Sequence, residues 1–312
     1  MTNVIQATGL YDTEGYDSMS LDRFRNLFFL KSIIQACSVN NCRSFIEFGT
    51  GAHAKLTKMI LDIHRHIGNC DAHVITYEVN PASARSAHRL LASYGARVKL
   101  VLGDIVDMQT MDVAHDCLIG EVIGCIASCE GQCRILSRLR DCQVRCYIPG
   151  RFGTYACAYT GVTPALSCPH RCRGRTFARI YGNKHVQQTS QLTIEEWTAR
   201  DVHLYGCHNE PFVSEIVVRD ASAIVSFIVL DQSTDCLTCS SAPWTERRAR
   251  AENWDVFVFP LTQRVTGRLR MRSLVNAVSV DPSYRIQCFD GDDECVLDVC
   301  LNLNTILSTP RL

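Results

Sequence analysis

Apolar residues fall at helical spacing over 21–36, LDRFRNLFFLKSIIQA, with Asp22 near the start, and the stretch predicts an amphipathic helix. The period then shortens. FIEFG (45–49) is an apolar run closed by glycine, the pattern of a buried strand. Helical spacing returns over 54–67, AKLTKMILDIHRHI, and HVITYEV (73–79) is a second strand. PASARSAHRLLASYG (81–95) predicts a helix with Pro81 in its first turn and Gly95 just past its end. VKLVLGD (98–104) and DCLIGE (116–121) supply a third and a fourth strand. Strands alternating with helices at this spacing build βαβ units, so the first half predicts a doubly wound α/β domain on a parallel sheet.

After about residue 147 the texture changes. YIPGRFGTYACAYTGV (147–162) has a Pro-Gly turn and then alternation. Six β-rich runs follow between turn signals: 211–220, 223–231, 255–265, 267–275, 284–291 and 294–303. They predict an antiparallel domain, a barrel or a sandwich. Residues 162–205 are less regular, with a helix predicted over TIEEWTAR (193–200). The expected fold class is therefore α/β followed by β. A Rossmann-like domain occupies 36–147 and an antiparallel β-barrel-like domain 148–312, with a helical segment at 1–35 in front.

A chain of 312 residues accommodates this division, and 46% hydrophobic residues suffice for a substantial core. Lys+Arg and Asp+Glu both number 32, so the zero net charge argues against non-specific nucleic-acid binding and leaves room for a local acidic site. No apolar run reaches the roughly 18 residues of a membrane span. The opening MTNVIQATGLYDTEG has neither a basic nor an apolar leader region. The expected location is the cytoplasm, with the nucleus also open, and the 18 cysteines are expected to be reduced thiols serving as small hydrophobes.

The first candidate site lies at the strand ends. FIEFGTGAHAKL joins a strand, a Gly-x-Gly turn at Gly49 and Gly51, and a helix. Ala54 stands where the dinucleotide fingerprint has its third glycine, which lowers the odds of NAD or FAD. Glu78 ends the second strand, where a carboxylate can take both hydroxyls of a ribose. Asp104 ends the third, in reach of an adenine amino group. Glu47 and Ile105 complete the cofactor-binding set. A nucleoside site without the dinucleotide fingerprint suggests S-adenosyl-L-methionine.

HDCLIGEVIGCIASCEGQ (115–132) resembles the double-E loop of the protein arginine methyltransferases: Glu121 and Glu130 nine positions apart, with Gly124 between. A guanidinium is a planar, permanently charged fork of donors, and two carboxylates can hold it bidentately. YDTEGYDSMSLDRFR (11–25) is similar to the family's N-terminal motif, at Met19, Asp22 and Arg25, although Tyr11-Asp12 stands where Tyr-Phe is usual. CYIPGRFGTYACAY (146–159) is similar to the strand leading out of the nucleotide domain. RAENWDVFVFPLTQRVTGRLRMRS (250–273) looks like the Thr-His-Trp loop and the barrel strands after it. Trp254 matches there, whereas Asn253 and Glu252 replace histidine and threonine.

The resemblance implies a divergent, S-adenosylmethionine-dependent arginine N-methyltransferase. Glu121 and Glu130 would be catalytic, and Tyr16, Asp22, Asn253 and Trp254 would bind substrate. Arg25 would pair with the cofactor carboxylate and Met19 would lie near the sulfonium, so segment 1–35 completes the cofactor site. Asparagine donates a hydrogen bond but is no acid or base, which leaves rate and product pattern open. The family's dimerisation arm would be shortened within 162–205, and a homodimer is implied. The acceptor is an arginine-containing peptide or protein, or free arginine. Two alternatives stay open: a catalytically weak paralogue serving as a regulatory partner, and a methyltransferase of another amine.

Plainer readings stand beside these. Glu121 capping a helix and Glu130 solvated on its surface would explain the pair structurally. Cys236-x-x-Cys239, Cys168-x-x-x-Cys172 and His170 have part of a zinc-site spacing, but no clean second pair exists and no metal is expected. Cys125, Cys129 and Cys133 have the spacing of a helix core, RCRGRTFAR (171–179) reads as a solvated basic loop, and HRH (64–66) as an exposed helix face.

Overall fold

The structure is a computed structural model that describes residues 19–107, 115–139, 142–162, 169–188, 191–202, 210–232, 238–242 and 254–309. Its first layer is a five-stranded parallel sheet in the order β3-β2-β1-β4-β5. The strands are β1 (Ser44–Phe48), β2 (His73–Glu78), β3 (Val98–Leu102), β4 (His115–Gly120) and β5 (Val144–Ile148). The helices α1 (Arg23–Ser38), α2 (Lys55–His66), α3 (Pro81–Leu91) and α4 (Gln132–Arg138) accompany them. Caps fix the helix starts: Asp22 accepts from the Arg25 N–H, and the Asn80 side chain accepts from Ala82 and Ser83 ahead of Pro81.

Strand order reverses between β1 and β4, which places a crevice at their carboxyl ends. The two strands meet closely there. A Cβ on Gly120 would come within 2.4 Å of the Phe48 ring, so only glycine fits. Gly49 (φ 78°) and Gly51 (φ 66°) turn the chain away from β1 in left-handed conformations.

The second layer is an eight-stranded sheet whose main path runs β13-β12-β11-β9-β6-β8, with β10 paired to β9 and β7 to β11. Its members are β6 (Arg151–Tyr159), β7 (His170–Cys172), β8 (Leu192–Thr198), β9 (Phe212–Asp231), β10 (Thr238–Ser240), β11 (Val256–Asn276), β12 (Ser283–Phe289) and β13 (Cys295–Asn302). Among the described residues its strands pair antiparallel throughout. The helices α5 (Gly174–Ile180) and α6 (Leu303–Ser308) complete the described α-helices. One buried cluster runs through both layers, from Phe28 and Ile46 to Trp254, Tyr284 and Leu301.

Several expectations are corrected. The runs at 211–220 and 223–231 form the single strand β9, and 255–265 and 267–275 form β11. The apparent breaks are bulges: Asp220 (φ 57°) drops out of the ladder between Val265↔Ala221 and Gly267↔Val218, and Gly267 (φ 102°) resumes it. TIEEWTAR is the strand β8 and not a helix; Glu195 and Trp197 are buried, and the segment pairs with β6. RCRGRTFAR is no solvated loop. Its start is in β7, its end is α5, and Arg171 donates to the carbonyls of Leu307 and Thr309. His64 in HRH is fully buried against Phe45. Cys125 and Cys129 sit in the turn before α4, so only Cys133 of that trio is on a helix.

Cys168 and Cys236 lie outside the described residues, among which no cluster of His, Cys, Asp or Glu is arranged to hold a metal. No described helix is long and apolar enough to cross a membrane.

Candidate active site

A cavity opens at the β1–β4 crevice and receives residues from both layers. Its floor is the Gly49–Gly51 turn. Gly49 faces Glu121, since a Cβ there would sit 3.3 Å from Val122 Cγ1 and 3.6 Å from the Glu121 carbonyl. At the tip of β2, Glu78 Oε2 accepts from the Gly51 N–H at 2.7 Å and Oε1 from the Asn80 N–H at 2.8 Å. Burial pushes the Glu78 carboxyl up, and these backbone donors pull it back. Asp104, after β3, accepts from the Val106 N–H at 3.1 Å and lies 3.4 Å from Arg134 of α4.

Glu121 leaves the end of β4 directly into the cavity wall. Its Oε2 pairs with the Arg25 guanidinium, and its Oε1 accepts from the Trp254 indole N–H at 3.2 Å. The same indole N–H reaches the Ile123 carbonyl at 3.0 Å, so Trp254 braces the backbone and the carboxylate together. Burial works against the Arg25 charge, but the adjacent Glu121 outweighs it and raises the pKa above its ordinary value. Arg25 Nε has no hydrogen-bond partner among the described residues.

Glu130 lines the same cavity, nine residues further on. Gly124 is what admits it. A Cβ on Gly124 would lie 2.9 Å from Glu130 Cγ and Oε1, and 2.3 Å from Cys129 Sγ. The Val122 N–H donates to Gln132 Oε1 at 3.2 Å and closes the loop onto α4. The two acids are therefore brought to one cavity, and the reading of Glu130 as a solvated helix residue fails: it precedes α4 and lines a wall.

Of the other residues singled out in the sequence, Met19, Arg25, Gly49, Gly51, Glu78, Asp104 and Ile105 line the cavity. Asp22 is behind the wall as the cap that orients Arg25, and Trp254 is behind Glu121. Tyr16 and Asn253 lie outside the described residues. Glu47 is a correction. It is fully buried and off the cavity wall, because its register on β1 sets its Oε2 between the hydroxyls of Thr57 and Thr76. Burial pushes its pKa up to about 7. Arg25, for which the resemblance implies a cofactor carboxylate, pairs with Glu121.

The sequence reading missed Lys55 and Arg134, cations in the first turns of α2 and α4, and the apolar sheet-side wall of Val280, Pro282 and Leu303. Lys55 Nζ donates to the Ser20 carbonyl at 2.8 Å and ties the N-terminal segment across the cavity. Basic residues just inside helices that follow glycine turns are the signal that was available for the two cations.

No protein-family model matches the chain, and no curated protein matches it in sequence. Solved structures do. A chain of the Trypanosoma brucei PRMT1 enzyme–prozyme heterotetrameric complex with AdoHcy superposes with a TM-score of 0.63 at 13% identity, covering 92% of this chain and 96% of that one. The fold is shared. Arabidopsis thaliana protein arginine methyltransferase 10 also gives 0.63, at 12% identity, covering 96% of this chain and 99% of that one. Those coverages span both layers, so the likeness includes the parallel sheet and the antiparallel sheet alike.

Proposed function

We propose that the chain is an S-adenosylmethionine-dependent N-methyltransferase whose acceptor is the guanidino nitrogen of arginine, in a peptide or protein or as free arginine. The observation that carries this reading is that Glu121 and Glu130 line one cavity with the Gly49–Gly51 turn, Glu78 and Asp104. The residues present suit the cofactor. Gly49 and Gly51 put no side chain between the turn and the cavity, Glu78 offers carboxylate oxygens for a ribose, and Arg25 of the wall has a buried, unpartnered Nε for a carboxylate. When bound, the cofactor supplies an electrophilic methyl on a sulfonium.

The chain's own contribution is orientation and charge. Glu121 already accepts from the guanidinium of Arg25 and so has the geometry to grip that group. Glu121 and Glu130 would hold the acceptor's fork and concentrate its charge on the nitrogens that are not methylated. Trp254 and Gly124 keep the two carboxylates in place. Positioning of this kind supplies most of the barrier reduction in a transfer between bound groups, and a closed wall strengthens each contact. A cytoplasmic homodimer is part of the same proposal.

The test is incubation with methyl-labelled cofactor and two acceptors, free arginine and an arginine-rich peptide, followed by mass spectrometry of the products. Label on a guanidino nitrogen is expected. Label on lysine, histidine or a hydroxyl, or none at all with cofactor bound, would overturn the reading.

A further inference from the structure

Behind the cavity, Glu195 of β8 is fully buried yet off the cavity wall. Four neutral donors converge on its carboxylate. The Ser128 N–H reaches Oε1 at 2.9 Å, the Ser128 hydroxyl Oε2 at 2.6 Å, the Thr154 hydroxyl Oε1 at 3.0 Å and the Trp197 indole N–H Oε2 at 2.9 Å. Since the Ser128 proton is committed to Glu195, the Tyr284 hydroxyl 2.7 Å away is the donor to Ser128 Oγ. Thr154 Oγ1 also accepts from the Ala127 N–H at 2.8 Å.

Two features make this more than core satisfaction. Ala127 and Ser128 belong to the loop between Glu121 and Glu130, and their consecutive backbone N–H groups are both held by the antiparallel sheet. The two holders come from β6 and β8, and β12 adds Tyr284 on the Ser128 hydroxyl, all distant in sequence. An ionised carboxylate is also the group that fits, because it is then acceptor-only and each oxygen here meets two donors, which oppose the upward push that burial gives its pKa. In either orientation an amide would turn its N–H toward an N–H that cannot reverse its role, the Trp197 indole or the Ser128 backbone.

We propose that Glu195 is a positioning residue for the acceptor site: carried by the antiparallel sheet, its carboxylate anchors the Ala127–Ser128 backbone and thereby sets where Glu130 stands relative to Glu121. The proposal rests on the function reading above. It makes the second layer part of the acceptor clamp's geometry as well as its wall. The parallel sheet fixes Glu121 at the end of β4, and the antiparallel sheet fixes the loop that returns to Glu130.

Glu195→Gln is the decisive variant, nearly isosteric but mismatched to one donor. Three measurements are made on the full chain: S-adenosylhomocysteine affinity by calorimetry, hydrogen exchange of a peptide spanning 121–131, and acceptor kinetics with free arginine and an arginine-rich peptide. The loop is expected to exchange roughly tenfold faster or more as its tether opens locally. Acceptor kcat/KM is expected to fall about 10- to 100-fold, as when an outer-shell partner is removed or reacting groups are misplaced. Affinity for S-adenosylhomocysteine is expected to stay at the wild-type value.

Wild-type exchange over 121–131, or wild-type acceptor kinetics despite faster exchange, would overturn the proposal. So would a cofactor-product affinity that falls in step with activity, which is the mark of general damage. If Glu195→Gln does not fold, Ser128→Ala removes one hydroxyl and keeps the backbone bond, and it is expected to shift the same readouts in the same direction. A wild-type protein that methylates neither acceptor would remove the function reading, whereas the tether stands or falls on the exchange measurement.

Discussion

Glu47 makes stability depend on pH in an uncommon direction. Its carboxyl is fully buried beneath the glycine turn, with Oε2 bonded to Thr57 and Thr76 and no hydrogen bond to Oε1 among the described residues. Burial raises its pKa from an ordinary 4.5 to about 7, against the pull of the two hydroxyls. The folded state therefore keeps this proton where the unfolded chain has lost it. Between those two values the native state binds more protons, so the contribution of Glu47 to stability falls as pH rises through the window and levels off above about 7. A shift of this size corresponds to about 3 kcal/mol, taking roughly 1.4 kcal/mol for each pH decade in which the two states differ by one proton. Glu47→Gln is neutral at every pH. Urea denaturation of both proteins in steps from pH 4.5 to 8 measures the effect. The stability of the variant relative to wild type should climb by about 3 kcal/mol across the window and then stay flat. A difference that is independent of pH, or that falls with pH, would refute the reasoning, because subtraction cancels the other titrating groups.

Gly124→Ala puts a methyl 2.3 Å from Cys129 Sγ and 2.9 Å from Glu130, so methyl transfer should drop about 100-fold while S-adenosylhomocysteine binding, read by calorimetry, persists. Trp254→Phe removes the indole N–H that braces Glu121 and the Ile123 carbonyl; acceptor kcat/KM should fall by about tenfold or more, read by the same kinetics. His64 is buried and burial lowers its pKa, so it folds neutral while the unfolded chain protonates below 6.5. Its contribution is thus lost as pH falls below that value, and His64→Phe should flatten the acid limb of a thermal-melt pH series.

The parallel sheet was legible because β1 to β4 are short apolar runs whose ends carry glycine or an acid, a pattern that the buried strands β1 and β4 share with the half-exposed edge strand β3. Glu121, Gly124 and Glu130 could be read together because their spacing lies within one loop. What the sequence hid depends on partners far along the chain. TIEEWTAR presents two adjacent glutamates and reads as a polar helix until Ser128, Thr154 and Trp197 are found around Glu195. His64 sits among charged helix neighbours, and only the packing of α2 against Phe45 shows it to be inside. Arg25 is an arginine near an N-terminal helix start in the sequence; that its guanidinium meets Glu121 requires α1 to lie over the end of β4. Turn residues such as Gly267 break a pattern without breaking a strand whose partner absorbs the bulge.

The most direct test of a guanidinium grip by two carboxylates is single-turnover methyl transfer from labelled cofactor to an arginine-rich peptide, for wild type, Glu121→Gln and Glu130→Gln, with S-adenosylhomocysteine affinity measured alongside. Each amide keeps the shape and removes the charge, so label on the guanidino nitrogen should fall by about 100-fold or more in both variants with cofactor-product affinity retained. Transfer at the wild-type rate by either variant would contradict the paired role of Glu121 and Glu130.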